Sequence, residues 1–264
     1  MQQTITDRVT LEHELVQALK LDQFTLYYQV QVDDSNNPIG AEALIRWFHP
    51  ERGMMSPLQF ITIAEENKSL IIAIGQWVLN TVCAQLKAWE QNALTRELTL
   101  SINVSAKEFH NDGFATTVKS TLRQYDVNPK RLKLELTESL LVDNIEKIIL
   151  TLGELKEIGV HFELDDFGTG YSSLQYLKKL PLHQLKIDQS FIRDITTDIS
   201  DQAIVRTIIA MAQSLGLGVI AEGVETEEQR LILFTAGCKN FQGYLFGRPM
   251  PVDQLEKLLN LKTT

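Results

Sequence analysis

Two adjacent carboxylates, Asp165 and Asp166, close a run in which apolar Val160, Phe162 and Leu164 alternate with polar His161, Glu163 and Asp165. A period of two is that of a short strand with one apolar face, so both Asp residues fall at its C-terminal tip. Adjacent carboxylates repel unless a cation or a proton lies between them, which makes a divalent metal a natural partner. Taken alone, Asp-Asp-Phe-Gly also reads as a solvated turn. The polar sides or tips of other predicted strands carry Glu42, Asn103, Glu135, Lys186, Glu222 and Gln242. An oxygen-only donor set without His or Cys suits a hard ion, Mg²⁺ or Mn²⁺, rather than zinc. The carboxylates exceed what one octahedral ion needs. Two ions sharing Asp165 would use the surplus and suit phosphodiester hydrolysis, with Lys186 balancing charge that develops on phosphate or nucleophile.

The elements that must position these groups follow from periodicity. An amphipathic helix is predicted over 9–20, and a strand over 24–32 with Gln29 and Gln31 opposite Tyr28 and Val30. The turn cluster at 33–38 is short, so the strand over 39–48 should run antiparallel to it. On that strand Glu42, Leu44 and Arg46 share a face, as an in-sheet salt bridge or as a functional pair. Ser56-Pro57 starts a helix and another spans about 71–90. Then strands (98–105, 131–137, 160–165, 182–188, 218–222, 239–244) alternate with helices (114–125, 143–158, 200–216, one from Thr226 to Gly237, and a short one after Pro251). Thr226-Glu227-Glu228-Gln229 is a capping-box pattern. Alternating βα units imply a parallel sheet covered by helices, and about eight strands in 264 residues imply an α/β TIM-type (β/α)8 barrel. A barrel gathers its strand tips at one mouth.

Composition narrows the partners. The formal net charge of -9 argues against coating a long nucleic acid, but not against a small phosphorylated ligand brought in by metal ions. Cys83 and Cys238 are far apart and outside any Cys-x-x-Cys pair, so neither a disulfide framework nor zinc is expected. No signal-peptide pattern opens the chain and no uninterrupted apolar run approaches ~20 residues. The expectation is a cytoplasmic protein without membrane contact of its own, or the cytoplasmic part of something longer and membrane-anchored.

The residues also resemble a known family, the EAL domains, which are cyclic di-GMP phosphodiesterases. The resemblance rests on Tyr28-Gln29, Glu42-Ala43-Leu44-Ile45-Arg46-Trp47, Asn103-Val104-Ser105, Glu135-Leu136-Thr137-Glu138-Ser139, the run from Asp165 through Gly168 and Gly170 to Leu174, Lys186-Ile187-Asp188, Ala221-Glu222-Gly223-Val224-Glu225 and Gln242-Gly243-Tyr244, and it covers about 8–257. It implies one catalytic domain, with 1–7 and 258–264 as tails, in a barrel whose first strand is antiparallel to the rest. It further implies that Glu42, Asn103, Glu135 and Asp165 hold one ion and Asp165, Asp166 and Glu222 the second. Lys186, Glu222, Glu225 and Asp166 would act in catalysis. Gln29, Leu44, Arg46, Asp188 and Gln242 would line the substrate path, with Arg46 on a phosphate and Gln242 on a metal-bound water. Glu138 would pin the loop 167–174, which the family uses to couple metal binding to homodimer contacts. The implied reaction opens one phosphodiester of cyclic di-GMP to linear pGpG, with Ca²⁺ inhibiting. The implied setting is a longer protein with an upstream sensory or GGDEF domain. A member that binds the dinucleotide without hydrolysing it is the alternative.

Two residues depart from that pattern. Val30 stands where Pro is usual, a mild change because both fit an extended backbone. Glu163 replaces a small residue on the side of the strand that Asp165 occupies, and must find Lys133, Lys186 or a proton. Glu163→Ala is expected to leave metal dependence intact and to change turnover less than about tenfold.

Overall fold

The computed structural model describes residues 2–138, 140, 144–168 and 174–261. After helix α1 (Gln2–Ala18), strands β1 (Phe24–Asp33) and β2 (Pro38–His49) form an antiparallel hairpin. Its turn is built by Asp33, whose Oδ1 accepts the Ser35 and Asn37 amides at 2.9 and 2.8 Å, with Asn36 at φ 64°. β3 (Gly53–Met55) extends β2 as a second hairpin. Helices α2 (Pro57–Glu66) and α3 (Lys68–Trp89) follow. Then come β4 (Thr99–Val104), α4 (Ala106–Phe109), α5 (Phe114–Gln124), β5 (Leu132–Thr137), α6 (Ile145–Ile158), β6 (His161–Phe167) and α7 (Leu174–Leu177). The chain ends with β7 (Gln184–Ile187), α8 (Gln189–Arg193), α9 (Ile199–Ser214), β8 (Gly218–Ala221), α10 (Glu227–Thr235), β9 (Asn240–Gln242) and α11 (Val252–Leu261).

The sheet runs β1-β9-β8-β7-β6-β5-β4-β2, and the β1–β2 pairing closes it. Strands β2 and β4 through β9 are parallel to one another, whereas β1 is antiparallel to both its neighbours. The expected barrel with a reversed first strand is therefore the observed fold. The apolar strand faces (Leu100 and Ile102, Leu132 and Leu134, Phe162 and Leu164, Leu185 and Ile187) point outward under the helices and form the core. Their partners face inward. The barrel interior is mostly polar, because Gln31, Glu42, Ser101, Lys133, Glu135, Glu163, Gln184, Lys186 and Gln242 are all buried there. Ile220 is buried yet stands apart from the apolar core.

Several boundaries differ from the sequence expectation. α1 begins seven residues earlier than residue 9, at Gln2, and α11 reaches Leu261, so helix extends into both presumed tails. α3 starts at Lys68 because the Asn67 side chain accepts the Ser69 and Leu70 amides. By length and composition α3 could cross a membrane, but here its Ile, Leu, Val and Trp side chains pack into the core. β7 stops at Ile187 because Asp188 turns away to cap α8 through the Ser190 amide. The capping box on Thr226 and Gln229 is present.

At the opposite end of the barrel from the strand tips, His161 and His183 stack with ring centroids 4.1 Å apart. His183 Nδ1 accepts the Phe162 amide at 3.1 Å. Burial and the neighbouring His161 push His183 down to about 4. Its folded pKa is depressed, so its share of stability is present above about 6.5 and is lost as pH falls toward 4. His183→Asn, which can keep the acceptor, should flatten the decline in Tm between pH 7 and pH 5. Partial exposure screens the effect, so a difference of about 2–4 °C between the two proteins is expected in thermal denaturation.

Candidate active site

Lys186 occupies the centre of the mouth. Its Nζ hydrogen-bonds Glu135 and lies 2.6 Å from Glu222, 3.3 Å from Asp165 and 3.7 Å from Glu42. These four carboxylates arrive from β5, the end of β8, β6 and β2, which only barrel closure brings together. Parallel register sets Glu135 beside Asn103, and Thr137 beside Asp165. Glu42 is gripped at both oxygens: Asn103 Nδ2 donates to Oε1 at 2.8 Å and Gln242 Nε2 to Oε2 at 2.6 Å.

The electrostatics follow from crowding. Burial works against a charged Glu42, but Lys186 and the Gln242 and Asn103 hydrogen bonds outweigh it and hold the carboxyl below its usual range. Burial and the nearby Glu42 drive Glu135 well above the ordinary value, and burial pushes Glu222 up to about 8. The same carboxylates hold Lys186 well above the usual lysine range in spite of burial. Asp166 stands at the exposed rim with φ 54°, donating its amide to Asp165 Oδ1. One-sided burial and the Asp165 and Asp188 carboxylates raise it to about 6.

One ammonium cannot neutralise Glu42, Glu135, Asp165, Asp166 and Glu222 together, so the mouth is built for additional positive charge. Glu135 Oε1 is buried with no hydrogen-bond partner, an acceptor still owed a cation or a donor. Among the described residues no three acidic, His or Cys side chains stand as a preformed cage, since Lys186 draws four carboxylates onto itself. The donor chemistry nonetheless fits a hard divalent ion.

The remaining expected residues lie around this cluster. Arg46 is half-buried, stacks over Tyr27 at 5.5 Å and donates to the Ile45 carbonyl, without a salt bridge to Glu42. Leu44, partly buried, pairs in register with Tyr27. Gln29 donates to the Gly247 carbonyl and accepts from Gln242. Asp188 is partly buried near Asp166. Glu225 is exposed beyond β8 and stands outside the group that contacts Lys186. Glu138 Oε1 accepts the Gly168 amide at 3.0 Å, an anchor for the start of the loop. Ser139 and Thr169 to Ser173 lie outside the described residues, and with them the middle of the expected loop 167–174.

Glu163 settles on Lys133, at 2.9 Å, and accepts from Ser101 Oγ at 3.2 Å; it does not contact Lys186. Gln31 escaped the sequence reading as a site residue although its position opposite Val30 marked it as polar-facing. Its Nε2 donates to Gln242 Oε1 at 2.9 Å.

Fold and site together define an α/β barrel with an acidic, lysine-centred mouth at the C-terminal ends of its strands. Residues 12–249 match the EAL domain, and the chain belongs to that family. It is 43% identical over 250 residues to MucR of Pseudomonas aeruginosa, a bifunctional diguanylate cyclase/cyclic di-GMP phosphodiesterase, covering 94% of this chain and 36% of MucR. It is 37% identical over 257 residues to PdeR of Escherichia coli K12, a cyclic di-GMP phosphodiesterase, covering 97% of this chain and 38% of PdeR. A solved structure of the PaMucR phosphodiesterase in complex with c-di-GMP superimposes with a TM-score of 0.89 at 42% identity, covering 93% of this chain and 99% of that one. The chain spans about a third of the length of the curated relatives it matches.

Proposed function

We propose that this domain is a cyclic di-GMP phosphodiesterase that opens one phosphodiester to give linear pGpG. The observation that carries the reading is the convergence of Glu42, Glu135, Asp165 and Glu222 on Lys186, in a chain similar to phosphodiesterases of that substrate. Glu42, Asn103, Glu135 and Asp165 would hold one Mg²⁺ or Mn²⁺, and Asp165, Asp166 and Glu222 a second. Such ions, when bound, polarise the phosphoryl oxygens and lower the pKa of a water.

The chain's own residues do the rest. The P–O3′ bond breaks, the water oxygen bonds to phosphorus, and the departing 3′ oxygen takes up a proton. Lys186, held charged by its neighbours, stabilises negative charge as it develops. Arg46 presents its guanidinium to a phosphate, and its stack on Tyr27 fixes the approach. Gln29 and Gln242 orient the site from the barrel floor, while Asp188 and Leu44 border the ligand path and Glu225 takes part from the rim. The same reading includes a homodimer touching through the loop that Glu138 anchors, and further domains in the whole protein.

Incubation with cyclic di-GMP and Mg²⁺ or Mn²⁺, with products resolved by chromatography, tests the reading. pGpG should form, should vanish on chelation by EDTA, and should not return with Ca²⁺, whose looser coordination spoils the geometry. Tight binding of the dinucleotide with no pGpG under any of these ions would make the domain an effector module instead.

A further inference from the structure

Below the mouth, the barrel interior carries a continuous line of polar contacts, an ion pair followed by hydrogen bonds, that ends on Glu42. Lys133 pairs with Glu163 at 2.9 Å, and Ser101 Oγ holds the other Glu163 oxygen at 3.2 Å. Lys133 Nζ also reaches Gln31 Oε1 at 3.5 Å. Gln31 Nε2 donates to Gln242 Oε1 at 2.9 Å, and Gln242 Nε2 donates to Glu42 Oε2 at 2.6 Å and to Gln29 Oε1 at 3.2 Å. Every member of this line is buried, with Gln31 and Glu163 at 0% and 1% exposure. β1 meets β9 so that Gln31 lies directly beside Gln242.

The direction of the line is fixed at both ends. An ammonium can only donate, so Gln31 must turn its oxygen toward Lys133 and its NH₂ toward Gln242. Gln242 must then present its oxygen to Gln31, which leaves its NH₂ for Glu42, and a carboxylate can only accept. Remove the donor at the lower end and the polarity of the two amides is held from the Glu42 end alone, so the Gln31 amide has lost one of its two constraints and flips more readily. A flipped Gln31 sets oxygen against oxygen at Gln242, which is relieved only by turning the Gln242 amide away from Glu42. A buried ion pair is a poor source of stability by itself. What Lys133 and Glu163 supply is the polarity of two amides.

We propose that the Lys133–Glu163 pair is a positioning element for Glu42, acting through the fixed donor–acceptor polarity of Gln31 and Gln242. The inference rests on the reading of Glu42 as a metal ligand. It assigns a role to the one buried interior carboxylate, among the described residues, that the mouth does not use.

Two variants separate positioning from packing. Lys133→Met/Glu163→Leu replaces the ions by apolar side chains of similar bulk, so the fold should keep a Tm close to the parent protein. Its Mn²⁺ affinity, by titration calorimetry, should weaken about three- to tenfold, and kcat should fall in proportion while KM for cyclic di-GMP stays within about twofold. Glu163→Gln leaves Lys133 a partner oxygen but not a balancing charge. It should lower Tm and yet keep Mn²⁺ affinity within about twofold of the parent. Affinity and stability are thus separated, each falling in one variant and not in the other, which a merely structural pair would not produce. If the double variant does not fold, Gln31→Met cuts the line in its middle and should reproduce the same affinity loss.

A readout free of metal and of hydrolysis completes the test. The side-chain NH₂ resonances of Gln242 in the metal-free protein should exchange slowly in the parent and in Glu163→Gln, and broaden or exchange fast in the double variant and in Gln31→Met. Unchanged Gln242 resonances, or Mn²⁺ affinity that follows Tm across the set, would overturn the proposal. A parent protein that makes no pGpG would refute the phosphodiesterase reading alone, because the Gln242 resonances still decide this one.

Discussion

Substituting Lys186 with Met should lower turnover of cyclic di-GMP by about 10²–10³-fold, the usual loss when a charge-stabilising donor leaves an active site. The same change exposes how the mouth is balanced. Lys186 is raised above its ordinary value, so its contribution to stability is complete at neutral pH and is lost only as strong alkali removes its proton. Glu222 works in the other direction. Raised from 4.5 to about 8, it binds a proton in the folded state that the unfolded chain releases, so stability falls as pH rises through that window. Without Lys186 the influence that holds Glu42 low and limits the rise of Glu135 and Glu222 disappears, and the slope must steepen. In EDTA, the variant's Tm should lie within about 2–4 °C of the parent at pH 5 and drop further behind by pH 8. Saturating Mg²⁺ should narrow the gap at pH 8, since cations bound only by the folded state stabilise it. A gap that is the same at both pH values would show that the carboxylates are not sharing the ammonium as the geometry has them.

Much of this site was legible because the barrel interior is polar. Period two gives the apolar face of β1, β2, β4, β5, β6 and β7, and the opposite face delivers Glu42, Asn103, Glu135, Asp165 and Lys186 toward one mouth. The short turn at 33–38 announced the antiparallel β1, since a parallel partner needs a long crossover. What period cannot supply is the partner across the barrel. Gln31 was assigned to the right face of β1, but its bond to Gln242 depends on β1 meeting β9, residues 211 apart in sequence. Glu163 had two lysines within conceivable reach. The choice fell to Lys133 because Lys186 is already engaged by the four carboxylates above it.

Short elements were missed for a related reason. α4 and α8 hold four and five residues, too few for a helical period to show, and β3 holds three. A period of two makes Asp166 a plain strand tip. Its left-handed φ of 54° turns its side chain out to the rim while Asp165 stays inside, which separates the roles of two adjacent carboxylates. That turn is visible only once the strand end is seen to break register between Leu164 and Phe167.

Gly243→Ala is expected to be the most damaging single methyl in the domain. Gly243 follows β9 at φ 158°, a backbone that disfavours a side chain, and the larger constraint there is space. A Cβ there would land on the backbone nitrogen, carbon and oxygen of Val224, none of which can swing aside as a side chain would. The two segments are tied at that point: the Val224 amide donates to the Gln242 carbonyl and the Leu245 amide to the Val224 carbonyl, each at 3.1 Å. Separating them would move Glu222 on one side and Gln242 on the other, and through Gln242 the hydrogen bond on Glu42. Overpacking against backbone should cost about 3 kcal/mol, a fall in Tm of about 6–12 °C in a chain of this size. Displacing site groups by about an ångström should lower turnover about 10²-fold even in the fraction that folds. Gly153→Ala, in α6 with open space around its Cα, is the matched control. There the added methyl should raise stability by about 0.5–1 kcal/mol through helix propensity alone and leave turnover as it was. Equal effects of the two substitutions on Tm and turnover would mean that the contact between Gly243 and Val224 does not set the site.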